Sequence, residues 1–82
     1  MVASENLKFV NGSGEEVLVI VEPWAEQFRI EPGQEVDIIV KGGVPGQCLT
    51  LEYMPKCLII YGWDGCVISI VSDGNCLGQS AQ

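Results

Sequence analysis

The chain of 82 residues has no histidine. That absence removes the commonest general base and metal ligand. Ser-His-Asp and Cys-His nucleophile arrangements go with it, as does a blue-copper site, which needs two histidines beside its cysteine. Bases are scarce: Lys8, Arg29, Lys41 and Lys56 are the only four, and they are scattered. Nucleic-acid binding rests on clustered Lys and Arg, so no nucleic-acid partner is expected. No apolar run approaches the ~18 residues of a membrane helix, and Met1-Val2-Ala3-Ser4-Glu5 carries neither a basic nor an apolar leader pattern. Neither membrane association nor export is therefore expected, and the cytoplasm is the expected compartment. No phosphate-cradling glycine loop, EF-hand pattern or zinc motif occurs, so no cofactor, metal site or catalytic residue is expected and the chain reads as a non-enzyme.

What remains is apolar and acidic. Hydrophobic residues make up 48% of the chain and charged ones 18%, below the ordinary ~25% charged, so the chain folds but has few charges to coat its surface. Eleven acids against four bases give a net charge of −7. Residues 1–41 hold eight acids and three bases, and residues 42–82 three acids and one base. The second half is thus nearly uncharged. A chain of this size buries only roughly 60% of its unfolded surface, so added stability from a partner, disulfide or metal would count heavily.

Gly and Pro divide the sequence into short strands. Leu7–Val10 precedes Asn11-Gly12-Ser13-Gly14, where Asn-Gly is a hairpin signal. Glu16–Glu22 is rich in Val and Ile, which favours strand. Pro23-Trp24 ends it. Gln27–Glu31 alternates, with Phe28 and Ile30 on one side; Pro32-Gly33 turns the chain; Glu35–Lys41 alternates with Val36, Ile38 and Val40 inward. A loop at Gly42–Gly46 leads to strands near Gln47–Tyr53, Lys56–Tyr61 and Cys66–Ser72, joined at Met54-Pro55 and at Gly62-Trp63-Asp64-Gly65. Asp64-Gly65 and Asp73-Gly74 are turn chemistry. The expectation is an all-β domain over residues 1–74, six or seven antiparallel strands in a small sandwich or half-barrel, followed by a flexible tail, 75–82.

The last three strands predict a meander that is apolar on both faces. A hairpin at Met54-Pro55 and a four-residue loop at Gly62–Gly65 put Leu49, Leu51, Tyr53, Leu58, Ile60, Val67 and Val71 on a core face. Cys48, Thr50, Glu52, Cys57, Ile59, Tyr61, Cys66, Ile68 and Ile70 fall on the other, where Glu52 is the one charge. A dry outer face marks an interface, most simply with a second copy; Ile59, Tyr61, Ile68 and Ile70 are its expected residues. Otherwise loops and the tail cover that face.

Two further features offer alternatives. Glu22-Pro23-Trp24 with Glu26, and Trp63 at another turn, form a polar and aromatic edge. There the tryptophans either cap the core or line a small-ligand or minimal catalytic site, since a carboxylate beside an indole can titrate high. The acids Glu15, Glu16, Glu22, Glu26, Glu31, Glu35 and Asp37 would suit an inhibitor or immunity-type protein filling a basic partner's site. Cys48, Cys57, Cys66 and Cys76 are spaced too evenly for a zinc motif. In a reducing compartment they are expected as free buried thiols rather than bridges.

The string Glu22-Pro23-Trp24, Phe28-Arg29-Ile30-Glu31-Pro32-Gly33-Gln34-Glu35-Val36, Tyr61-Gly62-Trp63 and Asp73-Gly74 resembles a group of short bacterial proteins of unassigned function. The resemblance spans most of residues 17–74 and implies a small β-sandwich or cupin-like half-barrel. It brings no activity or cofactor, and the chain lacks the histidine cluster of metal-binding cupins.

Overall fold

The computed structural model describes residues 4–43 and 46–81. Eight strands run in order: β1 (Ser4–Val10), β2 (Val17–Glu22), β3 (Glu26–Ile30), β4 (Glu35–Gly42), β5 (Thr50–Met54), β6 (Cys57–Tyr61), β7 (Cys66–Ser72) and β8 (Asn75–Ala81). No helix occurs among the described residues, so none is long and apolar enough to cross a membrane. The fold is all-β, as expected, with more strands than expected. Val44 and Pro45 of the anticipated loop, and Gln82 of the anticipated tail, lie outside the described residues.

The strands form two four-stranded sheets, β1-β4-β7-β8 and β3-β2-β6-β5. Three hairpins, β2-β3, β5-β6 and β7-β8, stay within a sheet, while the other connections cross from one sheet to the other. β2 and β6 are consequently parallel, with Leu18 opposite Cys57 and Glu22 opposite Tyr61. Period-two alternation sends Val17, Val19 and Val21 inward from β2, Val36, Ile38 and Val40 from β4, Leu58 and Ile60 from β6, and Cys66, Ile68 and Ile70 from β7. Each such aliphatic side chain contributes roughly 1.5–3 kcal/mol on burial, and together they form one core between the sheets. Phe28 of β3 packs where a Cβ on Gly78 of β8 would sit. β3 therefore lies across from β8, and the strand orders then place β5 across from β1.

Three sequence expectations change here. Asn11-Gly12 closes no hairpin. β1 pairs with β4, not β2, and neither residue has the positive φ that the tight hairpin turn needs. Asn11 is instead a buried hub, 2% exposed. Its Nδ2 donates to the Glu15 carbonyl (2.8 Å) and the Ile30 carbonyl (3.0 Å), and its Oδ1 accepts from Ser13 N (3.1 Å) and Ser13 Oγ (2.7 Å). Its backbone donates to Gln34 O (2.9 Å) and accepts from Gly33 N (2.7 Å). One side chain thus ties two inter-sheet crossovers together at one end of the sandwich.

The expected loose tail is strand β8. Asp73 (φ 50°) and Gly74 (φ 78°) form a two-residue turn, positive at both positions, that returns the chain along β7 with Ser72 opposite Asn75. A bulge at Ile70/Val71 interrupts that ladder. The three-stranded meander is divided: β5 and β6 form a hairpin, but β7 belongs to the other sheet. The hairpin's loop is Pro55-Lys56, with Lys56 at φ 64°, and Met54 faces Cys57. That moves the pairing by two residues and keeps every side chain on its expected face.

Candidate functional site

The division of the meander sorts the expected interface residues into two groups. Ile68 and Ile70 are 1% exposed and sit in the core; they are not surface residues in this fold. Gly62–Gly65 carries the chain across to the other sheet, so β7 turns its Cys66-Ile68-Ile70 side inward. Val67 and Val71, assigned by sequence to the core, are half-buried on the outside. Ile59 and Tyr61 do stand on the outer face of β6. Ile59 is half-buried opposite Ile20, and Tyr61 is 36% exposed. With Leu18, Ile20 and Met54 they form an apolar stripe on that face.

Tyr61 donates its hydroxyl to Glu52 Oε1 at 2.7 Å. That hydrogen bond, aided by partial desolvation and the nearby charges of Glu52 and Glu22, holds the phenol above its usual range near 10. The hydroxyl therefore stays neutral at any working pH. Any stability it adds is present below pH ~10 and is lost only as pH rises through the elevated folded value.

β5 is the other part of this surface. All five of its side chains are exposed. Leu51 faces Ile60 and Tyr53 faces Leu58, so both are on the core side of the sheet, yet they are 49% and 69% exposed. Across from them β1 offers Phe9 and Leu7, which pair with the inward Val36 and Ile38, and Leu7 is also exposed. The β1/β5 side of the sandwich is thus an open apolar lip.

The sequence drew β5 as the outer strand of the three-stranded meander, and in the fold it is the edge of its sheet. The signal was present: Tyr53-Met54-Pro55 places large apolar side chains next to a turn with no Lys or Arg within the strand.

The second expected site disperses. Glu22 lies on the outer face of β2, whereas Glu26 pairs with the inward Val21 and lies on the inner side, near Gly78. The two carboxylates point to opposite faces and form no acid/base pair. Trp24 and Trp63 do come to the same end of the sandwich, packed against the core. Trp24 stands against Gly62, where a Cβ would come within 3.1 Å of its ring. Trp63 Nε1 donates to Gly42 O at 3.1 Å. Both indoles act as lids, the structural alternative. They differ in one respect: the Trp24 N–H is buried without a partner among the described residues. Trp63→Phe leaves Gly42 O without its donor and should cost roughly 1–2 kcal/mol more in urea unfolding than Trp24→Phe, which removes an unpaired N–H. An equal or reversed order would contradict this assignment.

The acids are also divided. Glu15, Glu16, Glu31, Glu35 and Asp37 lie toward the Asn11 end, and Glu22 and Glu26 toward the other. Lys8 bridges Asp37 (3.0 Å) and Glu35 (3.1 Å); hydrogen bonds to both carboxylates raise its pKa. Lys56 pairs with Glu15 (3.7 Å) and Arg29 with Glu16 (4.0 Å). A polar cleft of about 230 Å³ is lined by Lys8, Glu35, Asp37, Asp73 and Gly74; Glu35 and Asp37 belong to the expected acidic set, and none of the five to the apolar interface or the tryptophan edge. Among the described residues no three Cys, Asp or Glu are grouped to hold a metal ion. All four cysteines are free; Cys66 is buried, Cys57 half-buried, and Cys48 and Cys76 are exposed rather than buried as expected.

No protein-family model matches the chain, and neither a curated protein nor a solved structure matches it.

Proposed function

We propose that the chain is a non-enzymatic interaction module of the cytoplasm that assembles with its own copies through the β5–β6 side of its second sheet. A comparison of the four edge strands supports this most directly. Exposed edges recruit other strands unless charges, bulges or short length guard them. β1 carries Lys8 with its two carboxylate partners. β3 carries Glu26 and Arg29, and β8 is bulged against its neighbour. β5 carries a single charge, Glu52, which accepts from Tyr61 of its own sheet; it has no bulge and presents Leu51, Tyr53 and Met54 to water. It is the edge on which a second chain most reduces exposed hydrocarbon. Free thiols at Cys48, Cys57, Cys66 and Cys76 agree with a reducing compartment.

Leu51→Lys tests this. Leu51 is half-exposed, so the charge should cost the single chain little, about 0.5–1 kcal/mol, while the assembly falls apart. Light scattering should give the mass of one chain for the variant and a multiple for the parent. A variant that keeps the parent's mass would overturn the proposal.

A further inference from the structure

Resting on that self-association, we infer that two copies join β5 to β5 antiparallel, with the two-fold axis at Leu51. The β5–β6 hairpin closes with Met54 opposite Cys57 around a two-residue loop, which makes that pair doubly hydrogen-bonded. Alternation then turns the backbone groups of Thr50, Glu52 and Met54 toward β6, and those of Leu51 and Tyr53 outward to a new strand. A two-fold that extends the sheet keeps inner faces together, so the axis passes through a residue rather than between two.

Three positions of the axis keep most of β5 paired. At Glu52 it sets that carboxylate against the partner's Glu52, and like charges directly opposite are destabilising. At Tyr53 it sets Leu51 against the partner's Pro55, which has no N–H to give. At Leu51 both objections vanish. Leu51 meets the partner's Leu51, and Leu49 meets the partner's Tyr53. Thr50 meets the partner's Glu52, to which its hydroxyl can donate. The exposed inner-face side chains of the lip thereby cover one another.

Charge also selects a second copy as the occupant. The chain carries −7, but residues 47–62 hold one acid and one base, Glu52 and Lys56. Two copies repel least where this segment meets itself.

The test is a cysteine walk in the full chain with Cys48→Ser, Cys57→Ser and Cys76→Ser; Cys66 stays, buried in the core. Leu51→Cys, Glu52→Cys and Tyr53→Cys are each oxidised mildly beside a light-scattering mass. Directly opposite residues have Cα atoms about 5.5 Å apart, within reach of a disulfide. Leu51→Cys should give a covalent dimer in several-fold greater yield than the other two. A dimer dominated by Glu52→Cys or Tyr53→Cys would overturn this register and leave self-association standing. No cross-link in an assembly of two copies would overturn the β5 edge as the junction. A parent with the mass of one chain would remove the reading beneath it.

Discussion

Ile68→Glu should leave the chain unfolded, whereas Ile59→Glu should leave it folded. The two isoleucines look alike in sequence, each within a short β-branched run. In the fold Ile68 is 1% exposed between the sheets, among Val40, Ile60 and Ile70 of the core. No described base lies in that core to pair with a carboxylate. Burying an unpaired carboxylate and removing a large aliphatic side chain together cost more than about 5 kcal/mol. A domain of this length has a total stability of roughly 4–12 kcal/mol, so the loss consumes most or all of it. Ile59 lies on the outer face, half-buried between Ile20 of β2 and Glu52 of β5. There a glutamate reaches water, and the cost should stay at about 1–2 kcal/mol. Circular dichroism and urea unfolding decide it. A folded Ile68→Glu, or an unfolded Ile59→Glu, would mean that the faces of β6 and β7 are assigned wrongly.

These two residues show where the sequence was legible and where it was not. Strand limits and alternation were readable: β7 has the expected bounds, and β4 and β6 begin or end within a residue of theirs. The β5–β6 hairpin was readable from a proline between two apolar runs, although its loop is Pro55-Lys56 and not the expected Met54-Pro55. The sheet to which β7 belongs was not. Gly62–Gly65 can close a hairpin or carry the chain to the facing sheet, and both obey the same local rules. When a strand is apolar on both sides, its period gives two faces without saying which is inside. One hint existed in β7: Ser69 stands in the middle of the face of Val67 and Val71, while the face of Cys66, Ile68 and Ile70 meets a serine only at the strand's end, Ser72. The same ambiguity carried Ile68 and Ile70 into the expected interface. β8 was missed for a different reason. Gly78, Gln79 and Ser80 have weak strand preference, yet Asp73-Gly74 is a strong turn and Gly78 fits where Phe28 packs. Tertiary context outweighed composition.

Asn11 carries the second large effect. Asn11→Ala deletes a side chain that serves two carbonyls and a serine at once. The Ile30 carbonyl loses its donor in a buried site, while the Glu15 carbonyl keeps the Ser13 hydroxyl, and the loss should be about 1–3 kcal/mol. Asn11→Asp is the sharper variant. It keeps Oδ1 for Ser13 but turns a carboxylate oxygen toward two carbonyl oxygens, so at neutral pH it should be less stable than the alanine variant. The sign with pH follows. Carbonyl neighbours and burial raise the folded pKa of that aspartate above its unfolded value near 3.9. The folded state then binds the proton more readily, and the deficit relative to the parent should shrink as pH falls through the raised value. Urea unfolding of all three proteins between neutral and mildly acidic pH measures it. A deficit that stays constant or grows on acidification would show that the Asn11 amide does not face those carbonyls.

The most direct test of the account is the mass of the parent chain in reducing buffer, followed by sedimentation from nanomolar to high micromolar concentration. With the β5 edge unguarded and the lip open, the mass should rise with concentration toward twice the 8.9 kDa of one chain. The half-way point should move little with salt, because apolar contacts and backbone hydrogen bonds, not opposite charges, join the copies. A mass fixed at one chain across the whole range would contradict it.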